Sequence, residues 1–238
     1  MKLICYLSNG YPSIEESTKT AFSYVNAGCD IIEIDFPGRD PYLESEYLAN
    51  RMEKALQACD DYNKYMQAMA NLKKALPDTK FILLLYEDTL EEIGLERFVD
   101  FCKENEFKEL IFVGLKNERN KDKLISEGLH VSCYVQYHLL PEEVEHAKRS
   151  NGFVYLQAKP TDGNINPDYP ELKDCVQYLR NKGIDRPIYC GVGIHTPQDV
   201  EMVKQAKADG VFIGSAILKL HDDIPELEKA IADFKRNC

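Results

Sequence analysis

An apolar run containing acids is the first place in this chain where chemistry can be looked for: Asp30-Ile31-Ile32-Glu33-Ile34-Asp35-Phe36-Pro37. Read as a strand, its side chains alternate, with Ile31, Glu33 and Asp35 on one face and Ile32 and Ile34 on the other. The purely apolar face should meet helices, so Glu33 and Asp35 should point inward. A carboxyl group in an apolar interior has a raised pKa, which suits acid/base work near neutral pH. The plainer alternative is a buried glutamate held by an arginine or a backbone amide. Acids inside a core strand are uncommon, which favours the chemical reading.

Three further stretches carry candidate groups. The stiff loop Phe36-Pro37-Gly38-Arg39-Asp40-Pro41-Tyr42-Leu43-Glu44-Ser45 offers Glu44 as a second carboxylate. By spacing alone Glu44 fits better as a negative charge near a helix N-terminus. The Gly-rich pair Cys190-Gly191-Val192-Gly193-Ile194-His195-Thr196-Pro197 and Ala208-Asp209-Gly210-Val211-Phe212-Ile213-Gly214-Ser215-Ala216-Ile217 ends two late strands. Backbone amides there, with a helix N-terminus, would cradle a phosphate without Lys or Arg; two ordinary tight turns are the alternative. The stretch Gln157-Ala158-Lys159-Pro160-Thr161-Asp162-Gly163-Asn164-Ile165-Asn166-Pro167 reads as a lid. Lys159, or Lys116 after the fourth strand, would form a Schiff base only if desolvated; a solvated lysine is the ordinary expectation for each. His195 reads as a polar loop residue.

These positions need a scaffold. Short apolar runs at 2–8, 30–36, 80–86, 108–114, 130–136, 152–158, 186–190 and 210–214 read as strands. Helical segments fall between them at 14–27, 44–75, 90–105, 117–127, 140–149, 169–183, 197–207 and 223–236, the second of them readable as a helix pair broken near Cys59-Asp60-Asp61. Ser13 and Glu16 are spaced as a capping box, Pro197 suits a first helical turn, and Gly28, Gly128 and Gly183 sit where helices should stop. Eight strand–helix units, at a mean of about 30 residues each, predict a (β/α)8 TIM barrel rather than a doubly wound sheet, in one domain spanning 1–238. No Gly-x-Gly-x-x-Gly follows the first strand. In such barrels chemistry sits where strands end and βα loops begin, which is where the candidate groups fall.

Composition narrows the function classes. The chain has 238 residues, with 29 Lys+Arg against 40 Asp+Glu and a formal charge of −11. No dense basic cluster exists, so nucleic acid is excluded as a partner. No apolar run reaches the roughly 18 residues of a membrane span, and the start, Met1-Lys2-Leu3-Ile4-Cys5-Tyr6-Leu7, is too short for a signal peptide. The eight cysteines form no CxxC pair, so no metal site is expected, and reduced thiols fit a cytoplasmic protein.

The ordered motifs resemble the tryptophan synthase α subunit family over nearly the whole chain. Tyr6-Leu7-Ser8-Asn9-Gly10-Tyr11-Pro12-Ser13 is similar to that family's first strand and loop. Glu33-Ile34-Asp35-Phe36-Pro37-Gly38-Arg39-Asp40-Pro41 resembles its Glu-Leu-Gly-x-Pro-Phe-Ser-Asp-Pro signature. Leu83-Leu84-Leu85-Tyr86 and Gly152-Phe153-Val154-Tyr155-Leu156 resemble strands three and six. Gly191-Val192-Gly193-Ile194 and Gly214-Ser215-Ala216-Ile217 look like the phosphate-binding motifs.

The resemblance implies a lyase that cleaves indole-3-glycerol phosphate to indole and glyceraldehyde 3-phosphate by a retro-aldol step, with no metal or organic cofactor of its own. It implies Glu33 as the acid that protonates indole C3 and Glu44 as the second acid, holding the indole N–H. It implies Tyr6, Leu84 and Tyr155 around the indole, and Gly163, Gly193, Gly214 and Ser215 around the phosphate. It also implies a tryptophan synthase β-like subunit as partner, met through Pro37 and Asp40. The chain departs from the family's pattern: Glu44 replaces an Asp, Asp35 a Gly, Gly38-Arg39 a Phe-Ser and Val192 an aromatic, Val113-Gly114-Leu115-Lys116 stands where the family carries an Asp and a Pro, and Pro160-Thr161-Asp162-Gly163 where Gly-Val-Thr-Gly is expected. Asp35 would then repel other anions, or be neutralised by Arg39 or by a protonation shift. Two other readings stay open: an aldolase or isomerase acting on another phosphorylated small molecule, and a catalytically impaired barrel that activates a β-like subunit.

Overall fold

The computed structural model describes residues 1–114, 118–161, 163 and 165–238. Its first half runs β1 (Lys2–Leu7), α1 (Ile14–Asn26), β2 (Ile31–Asp35), α2 (Glu46–Ala58), α3 (Tyr62–Ala75), β3 (Lys80–Tyr86), α4 (Glu87–Ile93), α5 (Leu95–Glu104), β4 (Glu109–Val113) and α6 (Glu118–Ser126). Then follow β5 (His130–Val131), β6 (Cys133–Val135), α7 (Pro141–Arg149), β7 (Val154–Gln157), α8 (Leu172–Asn181), β8 (Ile188–Gly191), α9 (Pro197–Gln205), β9 (Gly210–Ile213), α10 (Ser215–Leu218) and α11 (Ile224–Arg236).

The strands β2, β3, β4 and β5 pair in parallel, as do β1, β9, β8, β7 and β6. Their order in the sheet is β5-β4-β3-β2-β1-β9-β8-β7-β6. Parallel neighbours need long crossovers, and the helices supply them. All eight expected strands form, but the fifth is interrupted: β5 and β6 are separated by Ser132 alone, and β5 pairs with β4 while β6 pairs with β7.

Two helical expectations change in detail. The 44–75 stretch is a pair, with the Asp61 side chain accepting from Asn63 N–H at 3.0 Å to start α3. The 90–105 stretch is also a pair, and it begins earlier, directly after β3. Gly94 divides it with φ +90, a left-handed conformation that a side chain rarely adopts. The short α10 carries no periodic signal and was not expected. Of the box expected at Ser13 and Glu16, the Ser13 side chain accepts from Glu16 N–H; Pro197 opens α9 as expected, and Thr196 and Asp199 add a full capping box there.

The chain packs as two compact units. One is Tyr6–Asn26 with Asp30–Val131; the other is Met1–Cys5, Ala27–Cys29 and Ser132–Cys238. In the first, α5 turns Phe98, Val99, Phe101 and Cys102 inward at helical spacing, and Phe36 meets the Phe98 and Phe101 rings at 5.8 and 6.2 Å. In the second, Phe212 gathers Phe153, Tyr155 and Tyr189. Each unit's aromatic cluster fixes the strands whose ends carry the candidate groups.

Candidate functional site

The acid cluster belongs to the first unit. Register pairs Glu33 with Ile82 and Asp35 with Leu84, so both acids share a face of the sheet with apolar residues of β3. Both are buried, Asp35 completely and Glu33 to 8% exposure. Burial first, then the charges of Glu44 and Asp35, push the Glu33 carboxyl well above the ordinary range. Both influences favour the neutral, proton-bearing form of Glu33. Burial pushes Asp35 up to about 7, against hydrogen bonds from Asn9 N–H at 2.6 Å and the Tyr6 hydroxyl at 3.0 Å.

Glu44 does not serve the start of α2 in the way its spacing favoured. Ser45 is the cap, accepting from Leu48 N–H at 3.4 Å. The half-buried Glu44 side chain reaches instead to Tyr86 at the end of β3, whose hydroxyl donates to it at 2.7 Å. Burial raises the Glu44 pKa and the Tyr86 bond opposes the rise. Three carboxyl groups and the buried Tyr6 and Tyr86 thus influence one another electrostatically. Arg39 does not neutralise Asp35. It is exposed and pairs with Asp60 at 2.5 Å and Glu92 at 2.8 Å, and burial instead raises the Asp35 pKa. Such a cluster can hold a proton for delivery to carbon while a neighbouring carboxylate receives an N–H.

Tyr6 and Leu84 are both buried on the strands that flank β2 in the sheet order. Sequence reasoning gave no role to Asn9, Ser17 or Tyr86. The only signal for Tyr86 was its place at a strand end; Asn9 and Ser17 carried none, because their contacts depend on a loop conformation.

The Gly-rich stretches belong to the second unit. Gly193 has φ +82 and Val192 φ +67, a conformation that a β-branched residue rarely adopts. Gly163 has φ +76, and Gly214 precedes Ser215 at the start of α10 with open space around its Cα. The cradle differs from the expected one in one respect. His195 and Thr196 N–H both donate to the Asp199 carboxylate, at 2.8 and 3.0 Å, so these amides at the head of α9 are already used.

Lys159 is neither desolvated nor simply solvated. Its ammonium pairs with Asp199 at 2.5 Å, and its side chain lies against Gly193. Against burial, which acts upward, Lys159 and the two amides hold Asp199 down to about 2. An ammonium fixed by a carboxylate is a poor nucleophile, and the Schiff-base reading of Lys159 loses its physical basis. Lys116 lies outside the described residues. Tyr155 stacks on Phe212 at 4.4 Å and meets the Tyr134 ring edge-on. Exposed His195 is the loop residue it was read to be.

Among the described residues no group of three or more His, Cys, Asp or Glu side chains is arranged to hold a metal ion, and no helix is long and apolar enough to cross a membrane.

Comparison with known proteins matches this arrangement. The family model for the tryptophan synthase alpha chain matches residues 1–238. The chain is 27% identical to the tryptophan synthase alpha chain of Methanopyrus kandleri, over 98% of this chain and 86% of that one. It is 28% identical to that of Caldicellulosiruptor bescii, over 97% and 92%. Among solved structures, a protein of Aquifex aeolicus superposes with a TM-score of 0.87 at 24% identity, covering 99% of this chain and 92% of that chain. The tryptophan synthase subunit alpha of Campylobacter jejuni does so with 0.80 at 27%, covering 98% and 95%. The fold class is the (β/α)8 barrel. With a family model matched from end to end, the chain belongs to the tryptophan synthase alpha chain family.

Proposed function

We propose that the protein cleaves indole-3-glycerol phosphate to indole and glyceraldehyde 3-phosphate, with Glu33 as the general acid. Glu33 gives its proton to indole C3 while Glu44 takes the indole N–H and stabilises the positive charge that develops on the ring. The bond from C3 to the glycerol carbon then breaks as that carbon's hydroxyl passes its proton to the Glu33 carboxylate left by the first transfer, which restores the acid. The bond's electrons return to the ring, giving indole and an aldehyde, with no oxidant, metal or organic cofactor consumed. The observation that carries this reading is the Glu33 carboxyl, buried on β2 with its pKa pushed upward by burial and then by the charge of Glu44.

Tyr6, Leu84 and Tyr155 would line the indole, and Gly163, Gly193, Gly214 and Ser215 the phosphate, with Lys159 adding a positive charge beside Gly193. We infer one catalytic domain from the family match over 1–238, and a β subunit as partner. Of the two expected contact positions Pro37 is buried and Asp40 exposed, so the surface that supports that partner is Asp40 with the exposed Tyr42 and Leu43. A cytoplasmic location accords with the free cysteines.

The test is release of indole from indole-3-glycerol phosphate by the purified protein, alone and with a tryptophan synthase β subunit, beside Glu33→Gln. Release that vanishes in the variant is expected, and release that rises with the β subunit supports the partnership. A folded wild-type protein that releases no indole in either condition contradicts the reading.

A further inference from the structure

Asp35 is a buried carboxyl group that the reaction above does not use. It lies two residues from Glu33 on the same strand face, about 6.6 Å along the chain. Its two oxygens have different partners. Asn9 N–H donates to Oδ1 at 2.6 Å, and an amide nitrogen only donates, so Oδ1 acts as an acceptor. The Tyr6 hydroxyl faces Oδ2 at 3.0 Å. That contact works in two directions: the phenol donates to a carboxylate, or a carboxylic acid donates to the phenol oxygen.

The surroundings hold both residues in place. The Tyr24 hydroxyl donates to the Tyr6 carbonyl at 3.0 Å. The Ser17 hydroxyl donates to Asn9 Oδ1 at 3.3 Å, and Ser17 Oγ accepts from Gly10 N–H at 2.9 Å. The direction of the proton between Tyr6 and Asp35 is the freedom this network leaves.

We propose that Asp35 is a positioning residue of this site: through the proton it shares with Tyr6, it sets whether the Tyr6 hydroxyl offers the substrate an acceptor or a donor beside Glu33. The role in turnover rests on the lyase reading; the dyad itself is a property of the ligand-free protein. With Asp35 ionised, Tyr6 donates to Oδ2 and turns its lone pairs outward. With Asp35 protonated, Tyr6 accepts and its own O–H is released. Tyr6 keeps its proton in both states, because burial and then the charges of Asp35, Glu44 and Glu33 push its ionisation upward. The titratable groups bearing on Asp35 are Tyr6 from β1, Glu33 on β2, Glu44 ahead of α2, Tyr65 from α3 and Tyr86 at the end of β3. Arg39, four residues on in the chain, is engaged with Asp60 and Glu92. Burial places the change of state near pH 7.

Asp35→Asn and Tyr6→Phe test the proposal. The asparagine keeps an acceptor for Asn9 N–H, but its amide nitrogen only donates, so Tyr6 is locked in one direction. With aspartate carboxyls labelled with carbon-13, the ligand-free wild-type protein should show one aspartate titrating near neutral pH. That signal should be absent in Asp35→Asn and displaced in Tyr6→Phe. On indole-3-glycerol phosphate, each variant should lower kcat about 10-fold with KM little changed, and the double variant should be no worse than either single one. The ionisation near neutrality should leave the pH profile of kcat/KM in Asp35→Asn. If Asp35→Asn does not fold, Tyr6→Phe carries the titration arm. An Asp35 that titrates as an exposed aspartate, or is unmoved by Tyr6→Phe, overturns the proposal, as do losses that multiply in the double variant. Absence of cleavage by the wild-type protein would contradict the lyase reading, and the carboxyl titration would still decide the dyad.

Discussion

The Tyr86 hydroxyl donates to a Glu44 carboxylate oxygen at 2.7 Å, tying the end of β3 to the residue ahead of the α2 cap. This bond opposes the upward push of burial on Glu44 and so favours its ionised form. Tyr86→Phe removes the donor and leaves a half-buried acceptor without it, at a cost of about 1–3 kcal/mol in stability. The Glu44 pKa then rises. If ionised Glu44 receives the indole N–H, the acidic limb of the pH–rate profile moves to higher pH, which steady-state assays across pH 5–8 would read at about half-unit spacing.

Asp35 gives a stability prediction with a definite sign. Its folded pKa, about 7, lies above its ordinary value of 3.8, so the folded protein holds this proton more tightly than the unfolded chain. The stabilisation it provides is complete below about pH 4 and is lost as pH rises to about 7, on the order of a few kcal/mol. Asp35→Asn lacks this dependence. Denaturant titrations should show the variant gaining on the wild type between pH 4 and 7, with a constant difference above that range.

Lys159 separates two kinds of chemistry. It is an ammonium held by Asp199 beside Gly193, and the proposed function gives it charge to contribute to phosphate binding. Lys159→Met should raise KM about 10-fold and leave most of kcat, the pattern of lost uniform binding. Borohydride with substrate should add no mass to the wild-type protein. A loss of kcat beyond about 10³-fold, or a trapped adduct, would restore the Schiff-base route.

Gly191 is the place where the end of β8 meets the Tyr155 ring, and a methyl group there would overlap it. Gly191→Ala should displace the ring from its stack on Phe212 and cost about 1–3 kcal/mol by overpacking. Thermal unfolding reads the loss, and a weaker grip on indole, measured as its dissociation constant, reads the displaced ring.

The strands and helices were legible because their signals are local. Alternation placed Glu33 and Asp35 on one face, and the Thr196–Pro197 start of α9 forms as spacing predicts. Interruptions were less legible. Ser132 divides a strand and Gly94 divides a helix, although neither breaks the apolar pattern around it. Site contacts were the least legible. Whether Arg39 would meet Asp35 or turn to Asp60 and Glu92 depends on side-chain paths that residue spacing does not encode. The Glu44–Tyr86 bond spans 42 residues, and the Asp199 carboxylate takes amides that a Gly-rich motif by itself leaves open to phosphate.

The central claim is that Glu33 delivers the proton that starts carbon–carbon cleavage. It is tested most directly by single-turnover cleavage of indole-3-glycerol phosphate with wild-type protein and Glu33→Gln, following indole. The glutamine fills the same space without a charge, so the variant should fold and still bind substrate. The account predicts indole from the wild type and a loss of at least about 10²-fold in the chemical step in the variant. Equal cleavage by both proteins would contradict it.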